Sequence, residues 1–249
     1  MNTLKQRKFI HQSIPYSFNL NKDHPFFKSK NQLEILQFVS KNDGFKKLRT
    51  HFEAVLNGKV PNDYFNSKDL PRISQFKIKG VKRSYLKIFS KKLIRRGIIE
   101  TYDNNSKLLT FTKNVFENYE ENSNSINKPG HNSILKNILI KDENSIAIEV
   151  PIWKEFQDTC LTGHIDLIQL ENKTLKIIDY KPEGNFLISL PQVAMYGLII
   201  KKIFDIDDLR CVSFNKEEAW EYDPRILVED ITSFLDSINI KEREWEKFI

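Results

Sequence analysis

With 249 residues, of which 40% are hydrophobic, the chain is long enough for two domains of ordinary size. It carries no run of about 18 apolar residues and no signal-peptide pattern, which points to a soluble, cytoplasmic protein with no membrane partner. Cysteine occurs only at Cys160 and Cys211, so a four-cysteine zinc site or iron–sulfur cluster within one chain is excluded, and a disulfide is a weak expectation in that compartment. The net charge of +6 is unevenly spread: residues 1–128 hold 25 Lys and Arg against 11 Asp and Glu, whereas residues 129–249 hold 14 against 22. A basic half beside an acidic one fits a nucleic-acid-binding module next to a cation-recruiting one.

The basic half reads as helical. Gln32–Ser40 places Leu33, Leu36 and Val39 at helical spacing and stops at Lys-Asn-Asp-Gly, and Phe45–Leu56 repeats the pattern with Leu48, Phe52 and Val55 before Asn57-Gly58. After an irregular segment with Pro61 and Pro71, a third helix is expected over residues 80–96. It would bury Leu86, Phe89 and Leu93 and present Arg83, Lys87, Lys91 and Arg95 as one basic stripe at successive i+4 steps. Gly97-Ile98-Ile99-Glu100, the polar turn Asp103–Ser106 and Lys107–Phe111 then read as a short strand, a turn and a return strand. This helix, strand, turn and strand order resembles the end of a winged helix-turn-helix domain, here residues 1–116. The resemblance implies that the stripe binds the phosphates of duplex DNA; a solvated face, or a protein contact, is the alternative. No base-reading signature is evident. The polar, Asn- and Ser-rich residues 117–130 read as a linker.

The acidic half, residues 131–249, alternates helix and strand. A helix is expected at His131–Leu139, with Ile134, Leu135 and Ile138 on one face. Strands follow at Ser145–Ile152, Thr162–Leu170 and Thr174–Lys181, then a helix over Ser189–Phe204 and a strand at Leu209–Phe214. Residues 220–224 close a further strand and turn, Ile226–Asn239 reads as helical, and Ile240–Ile249 as a short charged helix with Trp245 and Phe248 on one side.

The densest chemistry lies at Gly163-His164-Ile165-Asp166 and, thirteen positions beyond Asp166, Asp179-Tyr180-Lys181. The two strands are joined by a tight turn at Glu171-Asn172-Lys173. Alternation along a strand makes Asp179 and Lys181 project together while Tyr180 points away. Two carboxylates at one strand edge repel unless a cation lies between them, and hard divalent ions favour such oxygen ligands. An ion pair of Lys181 with either aspartate is the bland alternative.

These residues and the helix, three strands, helix, strand order resemble the PD-(D/E)xK nucleases, in particular the RecB-like branch, over about residues 129–223. The resemblance implies a mixed α/β fold, an αβββαβ restriction-endonuclease-like core, and a Mg2+- or Mn2+-dependent deoxyribonuclease. Asp166, Asp179 and the backbone carbonyl of Tyr180 would hold the metal, and Lys181 would orient a water or stabilise the transition-state charge. Gln192 and Tyr196, four apart on the next helix, match the family's glutamine motif and imply positioning and strand contact; an apolar helix edge is the other reading of Tyr196. His131 would complete the metal site, although it follows Gly130 more closely than the family pattern. Glu149 would sit near the metal, with a solvent-facing strand glutamate as its alternative, and His164 would line the site without ligating. Unlike relatives with a four-cysteine cluster, this chain would carry no iron–sulfur centre. DNA is the implied partner, together with a helicase or transposase if the protein acts in a complex. A catalytically silent or partner-activated scaffold is the competing class.

Overall fold

A computed structural model describes residues 4–27, 43–103, 106–122, 128–182 and 186–249. Its spine is the apolar run of the second half. β4 (Ser145–Phe156), β5 (Thr159–Glu171) and β6 (Thr174–Tyr180) form an antiparallel meander. The chain then crosses through helix α6 (Phe186–Phe204) to β7 (Leu209–Phe214), which lies parallel to β6 and continues antiparallel into β8 (Ala219–Tyr222). A parallel neighbour cannot be reached by a tight turn, and the 19-residue helix supplies the crossover. The other expected elements of this half, helix α5 (His131–Lys141) and helix α7 (Asp230–Ser237), are also present.

The first half adds strands to the same sheet. β1 (Leu4–His11) and β2 (Ile14–Asn21) form a hairpin, and β2 joins β4 through Asn19↔Ile148 and Leu20↔Ala147. β3 (Ile99–Tyr102) pairs with β8, so the eight strands run in the order β1-β2-β4-β5-β6-β7-β8-β3. One face is covered by α6, by helix α1 (Asp43–Leu56) and by helix α3 (Arg83–Arg95). α1 meets the end of α6 so closely that a Cβ at Gly44 would lie 2.5 Å from the carbonyl oxygen of Phe204. The opposite face is covered by α5, whose Ile134, Leu135, Ile138 and Leu139 pack on Ile148, Leu167, Ile178 and Val212, and by helix α4 (Lys107–Asn122).

Several expectations change. Lys107–Phe111, read as the return strand of a wing, begins α4, because Leu108, Leu109 and Thr112 are buried at helical spacing and pack beside α5. β3 consequently takes β8 as its partner, and no wing hairpin forms among the described residues. The expected linker begins inside α4, which runs to Asn122, and residues 1–116 share one sheet with the second half rather than closing a sheet of their own. The Gln32–Ser40 helix lies outside the described residues. Ile240–Ile249, expected as a short charged helix, holds only a 3-10 turn at Glu246–Phe248, and its Trp245 and Phe248 are buried, Phe248 meeting the rings of Phe76 and Phe156. α6 is long and apolar enough by composition to cross a bilayer, contrary to the expected absence of such a run, yet 72% of its apolar window is buried against sheet and helices.

His51 of α1 wedges between Trp153 and Phe204, and its ring N–H donates to the Pro151 carbonyl at 2.9 Å. Burial lowers its pKa to about 4, against 6.5 in water. Between those values the unfolded chain binds a proton that the folded chain refuses, so stability is complete above pH 6.5 and is lost as pH falls toward 4. Urea denaturation at pH 5.0 and pH 7.5 is expected to show this ring costing roughly 2 kcal/mol at the lower pH. His51→Gln, which keeps a donor but does not titrate, is expected to flatten that part of the pH dependence.

Candidate active site

The register of the meander assembles a row of acids. Ile148 faces Leu167 and Val150 faces Ile165, which sets Glu149 opposite Asp166. Leu167 faces Ile178, so one step further along the same hairpin Asp166 comes opposite Asp179. Three carboxylates thus lie side by side on β4, β5 and β6. The hairpin that fixes this register turns at Asn172 and Lys173, both with positive φ (48° and 73°), as a two-residue connection requires.

Glu149 itself has φ of 51°. A left-handed conformation in a non-glycine strand residue costs roughly 1–2 kcal/mol. Its effect is visible in the packing. Ile148 already faces α5, and regular alternation would send Glu149 to the other side. Instead Glu149 Oε1 lies 3.7 Å from Nδ1 of His131, the first residue of that helix.

His131 binds the row from above, with Nε2 3.0 Å from Asp166 Oδ2. The Tyr180 backbone N–H donates to the same oxygen at 2.8 Å. On the other side of β6, Lys181 Nζ lies 2.7 Å from Asp179 Oδ2 and donates to Gln192 Oε1 at 3.2 Å, while Gln192 Nε2 donates to Asp179 Oδ1 at 3.2 Å. Asp179, Lys181 and Gln192 therefore form a closed triangle. Tyr180 points away from it into the α5 cluster, as strand alternation demands.

The electrostatics follow. Burial raises the pKa of Asp179, and the Asp166 charge raises it further, against the pull of Lys181. Burial likewise raises Glu149. His131 is disfavoured as a cation by its burial, but hydrogen bonds and charge from Asp166 and Glu149 outweigh this and lift its pKa to about 10. Lys181 is also raised: burial opposes its charge, and Asp179 and Asp166 more than compensate. Two cations thus offset three crowded acids.

Would a divalent ion fit here? Asp179 is buried, and the Lys181 ammonium 2.7 Å from its Oδ2 shows that this oxygen is placed to take a cation. Three carboxylates are oxygen donors suited to Mg2+ or Mn2+, and the imidazole adds a nitrogen of the kind transition metals take. Among the described residues no three such donors already converge at ligand spacing, since His131 and Lys181 hold them as ion pairs.

The other expected residues fall elsewhere. Tyr196 is 1% exposed, too buried to touch a nucleic-acid strand. Its hydroxyl accepts from the His164 backbone N–H at 3.2 Å, and its ring lies so close to Gly163 that a Cβ there would sit 2.6 Å from it. The glycine of Gly-His-Ile-Asp is explained by that contact. His164 does not line the acidic row either; it stacks on Tyr16 at 3.7 Å and meets His11 at 2.9 Å. The stripe residues Arg83, Lys87, Lys91 and Arg95 are exposed, and Leu86, Phe89 and Leu93 are buried, as expected. The stripe sits on a helix that packs toward β3 and α7 and is not brought to the acidic row. The sequence reading missed Tyr16 and His11, which belong to a hairpin whose turn, Gln12-Ser13, lacks the Gly, Asn or Asp that marks such turns. No family model matches this chain, and no curated protein does.

If His131 ligates a divalent ion, it must give up its proton to do so. Calorimetric titration with Mn2+ at pH 7.5 in buffers of different ionisation enthalpy is expected to show proton release. His131→Ala is expected to reduce that release by about one proton per ion. Equal release from both proteins would remove His131 from the ligand set.

Proposed function

We propose that this chain is a metal-dependent DNA nuclease with a PD-(D/E)xK core of the RecB-like kind, formed by α5, β4, β5, β6, α6 and β7. The observation that carries the reading is the closed Asp179–Lys181–Gln192 triangle lying beside the Asp166–His131 pair. A structural ion pair would need no glutamine bridging both of its members. Nor would it need a strained Glu149 turned toward the same point.

Asp166 and Asp179 would hold a divalent ion, with Glu149, His131 and the Tyr180 carbonyl completing the set, and the bound ion would supply an acidified water and polarise a phosphodiester oxygen. The chain's own residues do the rest. Lys181, held by Gln192 at a fixed position, directs its ammonium to where negative charge develops on the phosphate. Gln192 also fixes the rotamer of Asp179, so both groups are placed before substrate arrives. The Tyr180 N–H orients the Asp166 carboxylate.

The exposed stripe on α3 would bind duplex phosphates through its four basic side chains. Each neutralised phosphate steepens the salt dependence. Replacing Arg83, Lys87, Lys91 and Arg95 together with Gln is expected to reduce the slope of log K against log salt by up to about 4. An unchanged slope would leave the stripe as a solvated face or as the contact for a protein partner such as a helicase or transposase.

A silent or partner-activated scaffold is the second reading, favoured by the ion pairs that engage Asp166 and Asp179. Supercoiled plasmid and end-labelled linear DNA, single- and double-stranded, incubated with Mg2+, Mn2+ or EDTA separate the two. Metal-dependent cleavage is expected from the wild type, and a loss of about 100-fold or more in Lys181→Ala and Asp179→Ala. DNA binding with no cleavage on any substrate would favour the scaffold. Cleavage surviving both substitutions would contradict the site.

A further inference from the structure

A cavity of about 460 Å³ opens between the start of α4 and strands β5 to β8, at the far end of α5 and about 16 Å from His131 at helical rise. Its apolar floor is Leu108, Val212 and Ala219. Asp142 sets its polar character. Four acids are buried among the described residues, and three of them have a cation at ion-pair distance: Glu149 has His131, Asp179 has Lys181, and Glu221 has both Lys176 and Arg210. Asp142, 4% exposed, has none. It is held by neutral donors only: the Ser145 hydroxyl at 2.8 Å, the Gln169 side-chain amide and the Asn144 backbone N–H at 3.4 Å. Burial raises its pKa, and these bonds pull it back; the Lys107 charge acts on it from beyond ion-pair distance.

The neighbouring groups add acceptors rather than donors. Gln169, 6% exposed, lines the same cavity and directs its amide N–H groups to Asp142 and Ser145, so its Oε1 accepts from no group among the described residues. Asn144 donates to Glu171 at 3.4 Å, and its Oδ1 is likewise unclaimed. The lysines that border the cavity are already engaged: Lys176 is closed onto Glu171 at 2.6 Å and Glu221 at 2.9 Å, and Lys107 pairs with Glu143 at 3.0 Å. Asp142 also caps the C-terminus of α5, where the helix dipole contributes further negative charge. A buried carboxylate beside two open amide oxygens, above an apolar floor, suits a cation with N–H donors and a hydrocarbon body.

We propose that this cavity binds a small aliphatic amine, its ammonium seated on Asp142, Gln169 Oε1 and Asn144 Oδ1 and its carbon chain on Leu108, Val212 and Ala219. The site does not depend on the chain being a nuclease, because it shares no residue with the acidic row.

Thermal unfolding of the full chain, in EDTA and at matched ionic strength, tests this with putrescine against sodium and against tetramethylammonium, which carries the charge without an N–H. In the wild type the melting temperature is expected to rise with the logarithm of putrescine concentration and to respond to neither control. Asp142→Asn keeps the size of the side chain and removes its charge. It is expected to raise the putrescine concentration needed for a given shift by about 10-fold or more, the worth of one charge-assisted hydrogen bond. Asn144→Lys places a tethered ammonium in the cavity and leaves the Ser145 and Gln169 bonds to Asp142 intact. It is expected to abolish the response, and it decides the matter should Asp142→Asn fail to fold. Asp166→Asn is expected to keep the response, which separates the cavity from the acidic row. No response in the wild type, an equal response to tetramethylammonium, or a full response in Asp142→Asn or Asn144→Lys would overturn the proposal. So would a response lost in Asp166→Asn and kept in Asp142→Asn, which would place the amine on the acidic row.

Discussion

Mutual repulsion among Glu149, Asp166 and Asp179 is the constraint around which the centre of this fold is arranged. Sheet register sets the three carboxylates side by side on neighbouring strands, and burial removes much of the water that would screen them. Everything adjacent answers that problem. α5 begins with a histidine held as a cation by the row, the Tyr180 N–H faces Asp166, and Lys181 with Gln192 encloses Asp179. The backbone itself departs from its preferred region at Glu149 to turn a third acid toward the same point. Such an arrangement is hard to account for as stabilisation, because partly buried ion pairs contribute little net energy and strained residues subtract from it.

The apolar architecture serves the same centre. α6 must be packed nearly all round, for it carries Gln192 on one turn and Tyr196 on the next, and Tyr196 fits against the bare backbone of Gly163. α5 holds His131 at its first residue only because Ile134, Leu135, Ile138 and Leu139 fix the helix on the opposite face. Loosening either helix would move a charged group relative to the row without touching the row itself.

Much of this was legible in the residues, for identifiable reasons. Short strands separated by a polar Glu-Asn-Lys turn gave the hairpin, and period two along β6 gave the common direction of Asp179 and Lys181. The i+4 spacing made Gln192 and Tyr196 neighbours on α6, but spacing cannot report depth: Gln192 reaches the triangle, whereas Tyr196 is buried behind it. The wing failed because Lys107–Phe111 is apolar enough for a strand, and only the neighbouring α5, which the segment contacts through Leu108, decides for helix. The N-terminal hairpin stayed unread because Gln12 and Ser13 adopt left-handed turn geometry without the usual residues. Nor could any sequence pattern reveal that the basic half would extend the acidic half's sheet at both edges.

We propose this row of acids as a divalent-cation site. The most direct test is anomalous diffraction from crystals of the full chain soaked in Mn2+. A peak between the carboxylates of Asp166 and Asp179, with Lys181 displaced from Asp179 Oδ2, is the result predicted. Crystals that take up Mn2+ elsewhere while the His131–Asp166 and Lys181–Asp179 pairs stay closed would contradict it.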